Sequence, residues 1–288
     1  MSKTVEILAW IGNQIGKPPG WERVVRMFAS PEKCRSMAEV CLVRDGIVLQ
    51  VQPAVTVGWN VAFFGTYEPE IREIFRAVLP RGGVALDIGA NVGWHTLLMA
   101  RLVGDNGRVM AAEANPSVRN RLQDNLNLNR FGQVEVLPYA IADFEGTVDF
   151  YGPDVNNAES GNGHVVTAGA RAKSQIIRVE TRRLDTIVST VQIDRLDLIK
   201  IDVEGFEWPV LQGGEQTIAK FRPHIVFEYN AESSSRGRGD PRTIAEFFRT
   251  HHYQLFAIGR TWAETVDPGN WPDSVNIWAT PVALRSSL

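Results

Sequence analysis

Four acids in this chain stand where apolar, β-prone runs stop. Val84-Ala85-Leu86 ends in Asp87, Arg108 to Ala112 delivers Glu113, Asp197 to Ile201 delivers Asp202, and Ile225 onward delivers Glu228. In open parallel sheets, ligands bind beyond the carboxyl ends of the strands, so acids placed there are candidates for holding a ligand. After Asp87 the chain turns through Gly89-Ala90-Asn91-Val92-Gly93 into a helical pattern. Glycines at 89 and 93 allow a sharp turn and a close backbone approach, and the N–H groups that open the next helix face whatever is bound. Glu113 follows the last loop glycine by roughly twenty residues, the place of an acid that accepts from two vicinal ribose hydroxyls.

The same residues narrow the cofactor. A dinucleotide site needs G-x-G-x-x-G so that backbone can approach a pyrophosphate, whereas Asn91 stands at the middle glycine position here. S-adenosylmethionine has no phosphate. Its ammonium suits Asp87, its carboxylate suits loop N–H groups and its ribose suits Glu113, with Ala114 beside it. In Val136 to Asp143, Ala140 and its neighbours Pro138 and Tyr139 fall at a third strand end, next to an adenine.

Lys200 and Asp202 are two apart on a strand and therefore share a face. A Lys in an apolar strand needs a carboxylate close by. Asp202, Glu228 and Asp87 are its candidate partners, in a structural ion pair or in one that tunes a catalytic acid. Methyl transfer demands alignment of an acceptor oxygen and a place for its proton. Asp202 and Glu204 are the candidates for that work, with Lys200 orienting them. The interleaved Lys argues against a divalent metal among these acids, and no metal is expected. His95 is read as a packing residue at the start of a helix, and Asn115, before Pro116, as a helix cap.

DIGANVGWHT, EANP and above all IKIDVEGFE resemble the FkbM-type methyltransferase family, over roughly Tyr67 to Asn230. The resemblance implies a class I methyltransferase fold: a Rossmann-like, doubly wound, mostly parallel seven-stranded α/β sheet closed by a β-hairpin. It also implies that the first two motifs bind S-adenosylmethionine, and that the acceptor is a hydroxyl of a sugar, polyketide or other secondary metabolite. It covers Tyr67, which then lines the cofactor mouth. The flanks match less clearly and are where acceptor specificity would sit.

The elements needed to position these residues follow from the pattern. A helix over Trp21 to Ala29 and a hairpin around Asp45-Gly46 make a small N-terminal α/β appendage, residues 1–66, before a methyltransferase domain, residues 67–288. Glu68 to Leu79 carries Ile71, Ile74, Phe75 and Val78 on one helical face. From Val84 strands and helices alternate, as a parallel sheet requires. Gly152 to Ser174 breaks the alternation with a long Gly/Asn/Ser-rich segment, expected with Ala231 to Asp240 to form a mobile cover over the acceptor. Several of the eight Trp residues, Trp208 and Trp262 among them, could stack on a sugar ring, although most should be packing.

Composition sets the outer limits. With 288 residues and 44% hydrophobic content the chain can bury a full core. A formal charge of −3 does not suit a nucleic-acid partner, and Arg171, Lys173, Arg182, Arg183, Arg236 and Arg238 make local patches only. Cys34 and Cys41 have neither disulfide-framework nor zinc spacing. No run reaches the ~20 apolar residues of a membrane span. The reading is a cytoplasmic enzyme methylating a hydroxyl of a small molecule, with no nucleic-acid or membrane partner and its oligomeric state open. Its rivals are an N-methyltransferase of protein or nucleic-acid base, disfavoured by I-D-V-E in place of an N/D-P-P-Y/F motif, and a catalytically silent cofactor-binding scaffold.

Overall fold

The central strand Val84–Ile88 is apolar except for Asp87 and buried at every position, as a strand sandwiched between two helical layers must be. The computed structural model describes residues 7–12, 20–37, 39–44, 46–152, 163–166, 176–234, 237, 239–259, 264–265 and 271–282. In chain order the strands are β1 (Val40–Arg44), β2 (Ile47–Val51), β3 (Val84–Ile88), β4 (Arg108–Ala112), β5 (Val134–Leu137), β6 (Ala140–Ala142) and β7 (Gly146–Tyr151). They continue with β8 (His164–Val165), β9 (Ile176–Arg183), β10 (Leu198–Ile201), β11 (His224–Asn230), β12 (Tyr253–Ile258), β13 (Glu264–Thr265) and β14 (Ser274–Pro281).

The main sheet has the order β13-β12-β14-β11-β10-β3-β4-β5. β5, β4, β3, β10 and β11 run parallel, and β14 inserts antiparallel between β11 and β12. This is the seven-stranded, doubly wound class I methyltransferase arrangement with its closing hairpin, extended by the two-residue edge strand β13. The chain leaves β3 toward β4 and β5, then returns to place β10 on the other side of β3. That reversal opens the crevice in which such sheets bind ligands.

Alternation along the strands assigns the two faces. Ala85, Val109, Leu198 and Val226 pack with Ile71, Phe75, Met99 and Val103 of the helices Pro69–Val78 and Trp94–Val103. Leu86, Met110, Ile199 and Phe227 pack with Ile187, Val210, Ile218 and Phe248 of the helices Leu184–Val191, Glu207–Gly213, Glu215–Phe221 and Pro241–Thr250. The period of two therefore turns Asp87 and Lys200 toward the first helical layer, where they are register partners. A single helix over Trp208 to Phe221 is the sequence expectation, but the structure breaks it at Gly213-Gly214, where Gly214 packs against Leu184.

A second sheet, β6-β9-β7-β8, lies outside the alternating pattern. Thr147 to Tyr151 and Ile176 to Thr181 are strands as expected and pair antiparallel. The three-residue β6 and the two-residue β8 were not legible as strands. Of the expected cover, residues 153–162, 167–175, 235–236 and 238 lie outside the described residues, and Ala231–Ser234 is a short helix.

The N-terminal hairpin forms with Arg44 opposite Ile47. β2 lies against the helix Pro116–Asn129, where the amides of Asn125 and Asn129 bond the backbone of Gln50 and Val48 in place of a neighbouring strand. Ile47, Leu49, Val51, Val57 and Val61 share one core with Val92, Leu97, Val118 and Leu122. Among the described residues no helix is long and apolar enough to cross a membrane.

Candidate active site

A pocket of about 650 Å³, open mouth included, lies over the carboxyl ends of β3, β4, β5 and β10. Seven of the residues singled out from the sequence line it: Gly89, Asn91, Glu113, Ala114, Ala140, Asp202 and Glu204. Ile88, Ala112, Asn115, Tyr139, Ile141, Phe150, Gly163, Val165, Val203 and Phe206 also line it. Phe150 and Val165 come from the second sheet; β8 is too short to be read as a strand, and β7 is legible as a strand but nothing local places it over the pocket. Asp87, Gly93, Tyr67 and Lys200 do not line the pocket.

The glycine loop is held by protein contacts. Gly89 adopts φ 82, and a Cβ there would stand 1.8 Å from the Asp202 carbonyl, so the glycine lets the β3 loop run against the β10 loop. The sequence reading had assigned that close approach to the ligand; the structure gives it to the neighbouring backbone. Gly93, at φ 98, caps the helix Trp94–Val103 instead of facing the pocket.

Glu113 is 8% exposed. Its Oε2 accepts from the Asn91 N–H at 2.9 Å and its Oε1 from the Asn115 N–H at 2.8 Å, which ties the glycine loop to the β4 loop. Each oxygen keeps a second acceptor position for a ligand hydroxyl. Burial raises this carboxyl to about 7, against the pull of the two backbone N–H groups and Arg119. Asn115 also caps the following helix, its side chain accepting from the Ser117 N–H at 3.1 Å.

At the other end of the pocket the loop Asp202 to Phe206 is folded tightly. Glu204 takes φ 52 and Gly205 φ 98, and a Cβ on Gly205 would stand 2.0 Å from the Ser233 carbonyl. Glu207 fastens this loop: its Oε1 accepts from the N–H groups of Val203 and Gly205 at 3.2 and 3.1 Å. Sequence reasoning quoted Glu207 within its motif but gave it no role. An acid one turn past a glycine-bearing strand end was the available signal. Burial raises Glu207 to about 7.

Behind Asp202 lies a buried polar cluster. Lys200 Nζ is 3.1 Å from Asp202 Oδ2, which realises one of the expected pairings. Burial alone would push this ammonium down, but Asp202, Asp87 and Glu68 outweigh it and hold it above its ordinary value. Asp87 is fully buried and accepts from Thr96 Oγ1 at 2.6 Å, and burial raises its carboxyl despite Lys200. Glu68, in the left-handed conformation before Pro69, accepts from Asn276 Nδ2 at 3.1 Å and lies 3.5 Å from His95 Nε2. Burial raises Glu68 to about 7. His95 is buried between Tyr67 and Phe75, and burial followed by Lys200 holds its ring well below the ordinary value, hence neutral. Glu68 and Asn276 were not singled out for this place, because 208 positions separate them in the chain.

The pocket fits S-adenosylmethionine. Ile88, Ala140, Ile141, Phe150, Val165 and Phe206 offer apolar surface for a base, buried Glu113 offers acceptors for hydroxyls, and Asp202 and Glu204 offer negative charge for an ammonium. Among the described residues nothing in this lining is cationic, as a phosphate would require. Fold and pocket define a class I S-adenosylmethionine-dependent methyltransferase.

The family model for the methyltransferase FkbM domain matches residues 87–255, more than half of the chain, and the chain belongs to that family. It is 30% identical over 175 residues to the 2-O-methyltransferase NoeI of Sinorhizobium fredii, covering 57% of this chain and 70% of that one. It is 29% identical over 181 residues to the hexuronic acid methyltransferase AglP of Haloferax volcanii, covering 62% and 70%. It is also 29% identical over 211 residues to the AMB antimetabolite synthetase AmbE of Pseudomonas aeruginosa, covering 62% of this chain but only 10% of that much longer one.

Proposed function

We propose that this protein transfers the methyl group of S-adenosylmethionine to a hydroxyl of a small molecule, a sugar, glycoside or natural-product scaffold. The observation that carries this reading is that Asp202, paired with Lys200 at 3.1 Å, lines the same pocket as Glu113. One pocket thus joins a hydroxyl-binding carboxylate at one end to a carboxylate able to receive a proton at the other. The relatives NoeI and AglP, a 2-O-methyltransferase and a hexuronic acid methyltransferase, support O-methylation of a sugar-like acceptor.

The bound cofactor supplies an electrophilic methyl on a sulfonium that leaves as a neutral thioether. The residues then have two tasks. Glu113, Asn91 and the walls around Ala140 hold the cofactor, and Asp202 with Glu204 aligns the acceptor. With the cofactor bound, Asp202 would take the proton of the acceptor hydroxyl as that oxygen receives the methyl group. Lys200 keeps that carboxylate in place.

Calorimetric titration with S-adenosylhomocysteine and, as control, NAD tests the cofactor half of the reading; binding of NAD alone would overturn it. Asp202→Asn tests the rest. Its turnover is expected to fall about 10²- to 10⁴-fold with S-adenosylhomocysteine affinity within a few-fold of wild type. Full turnover by this variant would remove Asp202 from the reaction.

A further inference from the structure

Outside the cofactor pocket, one group of side chains is left without its bonding partners. Glu68 Oε2, His95 Nε2 and Asp87 Oδ1 are buried and have no hydrogen-bond partner among the described residues. His95 is 5% exposed and its Nε2 lies 3.5 Å from Glu68 Oε2 without a hydrogen bond between them. An unpaired buried polar atom costs about 1–3 kcal/mol, so such atoms mark a place where a partner arrives.

These atoms belong to a wall built mainly of acids. Lys200, Asp202 and Glu228 share one sheet face by the period of two, and Asn276 is the register partner of Glu228. The Tyr67 ring lies against His95, and its phenol is pushed well up by burial and then by the charges of Glu68, Asp202, Glu228 and Glu204. Glu228 is itself raised, by burial and then by Asp202. Solvent reaches this wall: the side chains of Glu68 and Asp202 are 22% and 28% exposed. Asp202 and Glu204 also line the cofactor pocket, whereas Glu68, Tyr67, Glu228 and Asn276 do not. The wall therefore continues the site past the reacting carboxylate. Among the described residues no three His, Cys, Asp or Glu side chains are arranged to hold a metal ion, so the surplus acids have another purpose.

We propose that Glu68, Glu228, Tyr67 and Asn276 form the acceptor subsite, and that they select a polyhydroxyl acceptor that is neutral or carries an amine, rejecting one that bears a carboxylate. This rests on the O-methyltransferase reading and adds the acceptor's charge to it. Ionised carboxylate oxygens only accept hydrogen bonds, so above about pH 7, where Glu68 is ionised, hydroxyl or ammonium donors satisfy the wall and an anionic group does not. Lys200 pairs with Asp202 at 3.1 Å and stands in register with Asp87, so its charge is already shared, and a further anion brought among these acids is strongly disfavoured. Tyr67, Glu68 and Asn276 lie outside residues 87–255 and Glu228 inside, so the flanks of this chain and the matched domain build this subsite together.

The test offers the purified full chain S-adenosylmethionine and, in parallel, the methyl glycosides of a neutral hexose, an amino sugar and a uronic acid, reading S-adenosylhomocysteine formed. The neutral or amino glycoside is expected to be methylated with kcat/KM at least about tenfold above the uronate. Glu68→Gln should narrow that ratio while leaving S-adenosylhomocysteine affinity unchanged. A uronate used as well as or better than the others would overturn the proposal. So would absence of turnover with both uncharged and amino glycosides in a protein that binds S-adenosylhomocysteine. A ratio unmoved in Glu68→Gln would remove Glu68 from selection. Failure to bind S-adenosylhomocysteine is a different result, and it strikes the methyltransferase reading.

Discussion

The two ends of the site are built in opposite ways. At the cofactor end, Glu113 accepts two backbone N–H bonds from loops within 22 positions of it, and its environment is local. At the reacting end, Glu68, His95, Lys200, Asp202, Glu228 and Asn276 come from distant stretches of chain and meet only when the sheet and its first helical layer are complete. The cofactor end is a motif; the reacting end is a product of tertiary structure. The reacting end joins His95, Lys200, Asp202 and Glu228 of the matched domain to Glu68 and Asn276 of the flanks.

Mutations can break this contrast. The largest expected effect is at Lys200, which neutralises the buried acids of the reacting end. Lys200→Ala leaves Asp87 and its neighbours uncompensated and should cost about 3–5 kcal/mol in urea unfolding. An unchanged midpoint would show that the cluster does not depend on Lys200. Glu207 comes next, since it fastens the loop that carries Asp202 and Glu204. Glu207→Ala frees two backbone N–H groups and should cost about 1–3 kcal/mol, with turnover reduced by loop disorder. Stability loss without loss of turnover would sever loop shape from alignment.

The smallest effect sharpens the contrast by pH. Glu68, Glu113 and Glu207 are each raised from 4.5 to about 7 in the folded chain. The folded state therefore binds more protons than the unfolded one between those values, and stability falls as pH rises through that window. The melting temperature should be lower at about pH 8 than at about pH 5.5 from this source. S-adenosylhomocysteine affinity should move the other way, tightening as Glu113 ionises through about 7. Glu113→Gln should flatten the affinity profile and leave the contributions of Glu68 and Glu207 to the stability profile.

What could be seen in the sequence divides along the same line. The run from Val84 to Gly93 announces strand, loop and helix because apolar residues, an acid and two glycines are adjacent in the chain. Glu113 could likewise be placed because it follows the end of β4, and Ala140 because it comes shortly after the end of β5, although it opens β6. The Lys200–Asp202 pair was legible from the period of two alone. Glu68 and Asn276 were not, because no local rule joins residues 208 positions apart. The second sheet was half visible: β7 and β9 have β-branched and aromatic runs, whereas β6 and β8 are too short to carry a period. Asp87 shows the limit of strand-end reasoning. It sits where expected, but the alternation of faces turns its carboxylate inward to Thr96 and the Lys200 cluster.

The separation of the two ends is tested most directly by calorimetric titration of S-adenosylhomocysteine into Glu113→Ala and Glu68→Gln beside the wild type. The account predicts at least about tenfold weaker binding for Glu113→Ala, the loss of a buried charged hydrogen-bond acceptor, and wild-type affinity for Glu68→Gln. Equal losses in both variants, or none in Glu113→Ala, would contradict it.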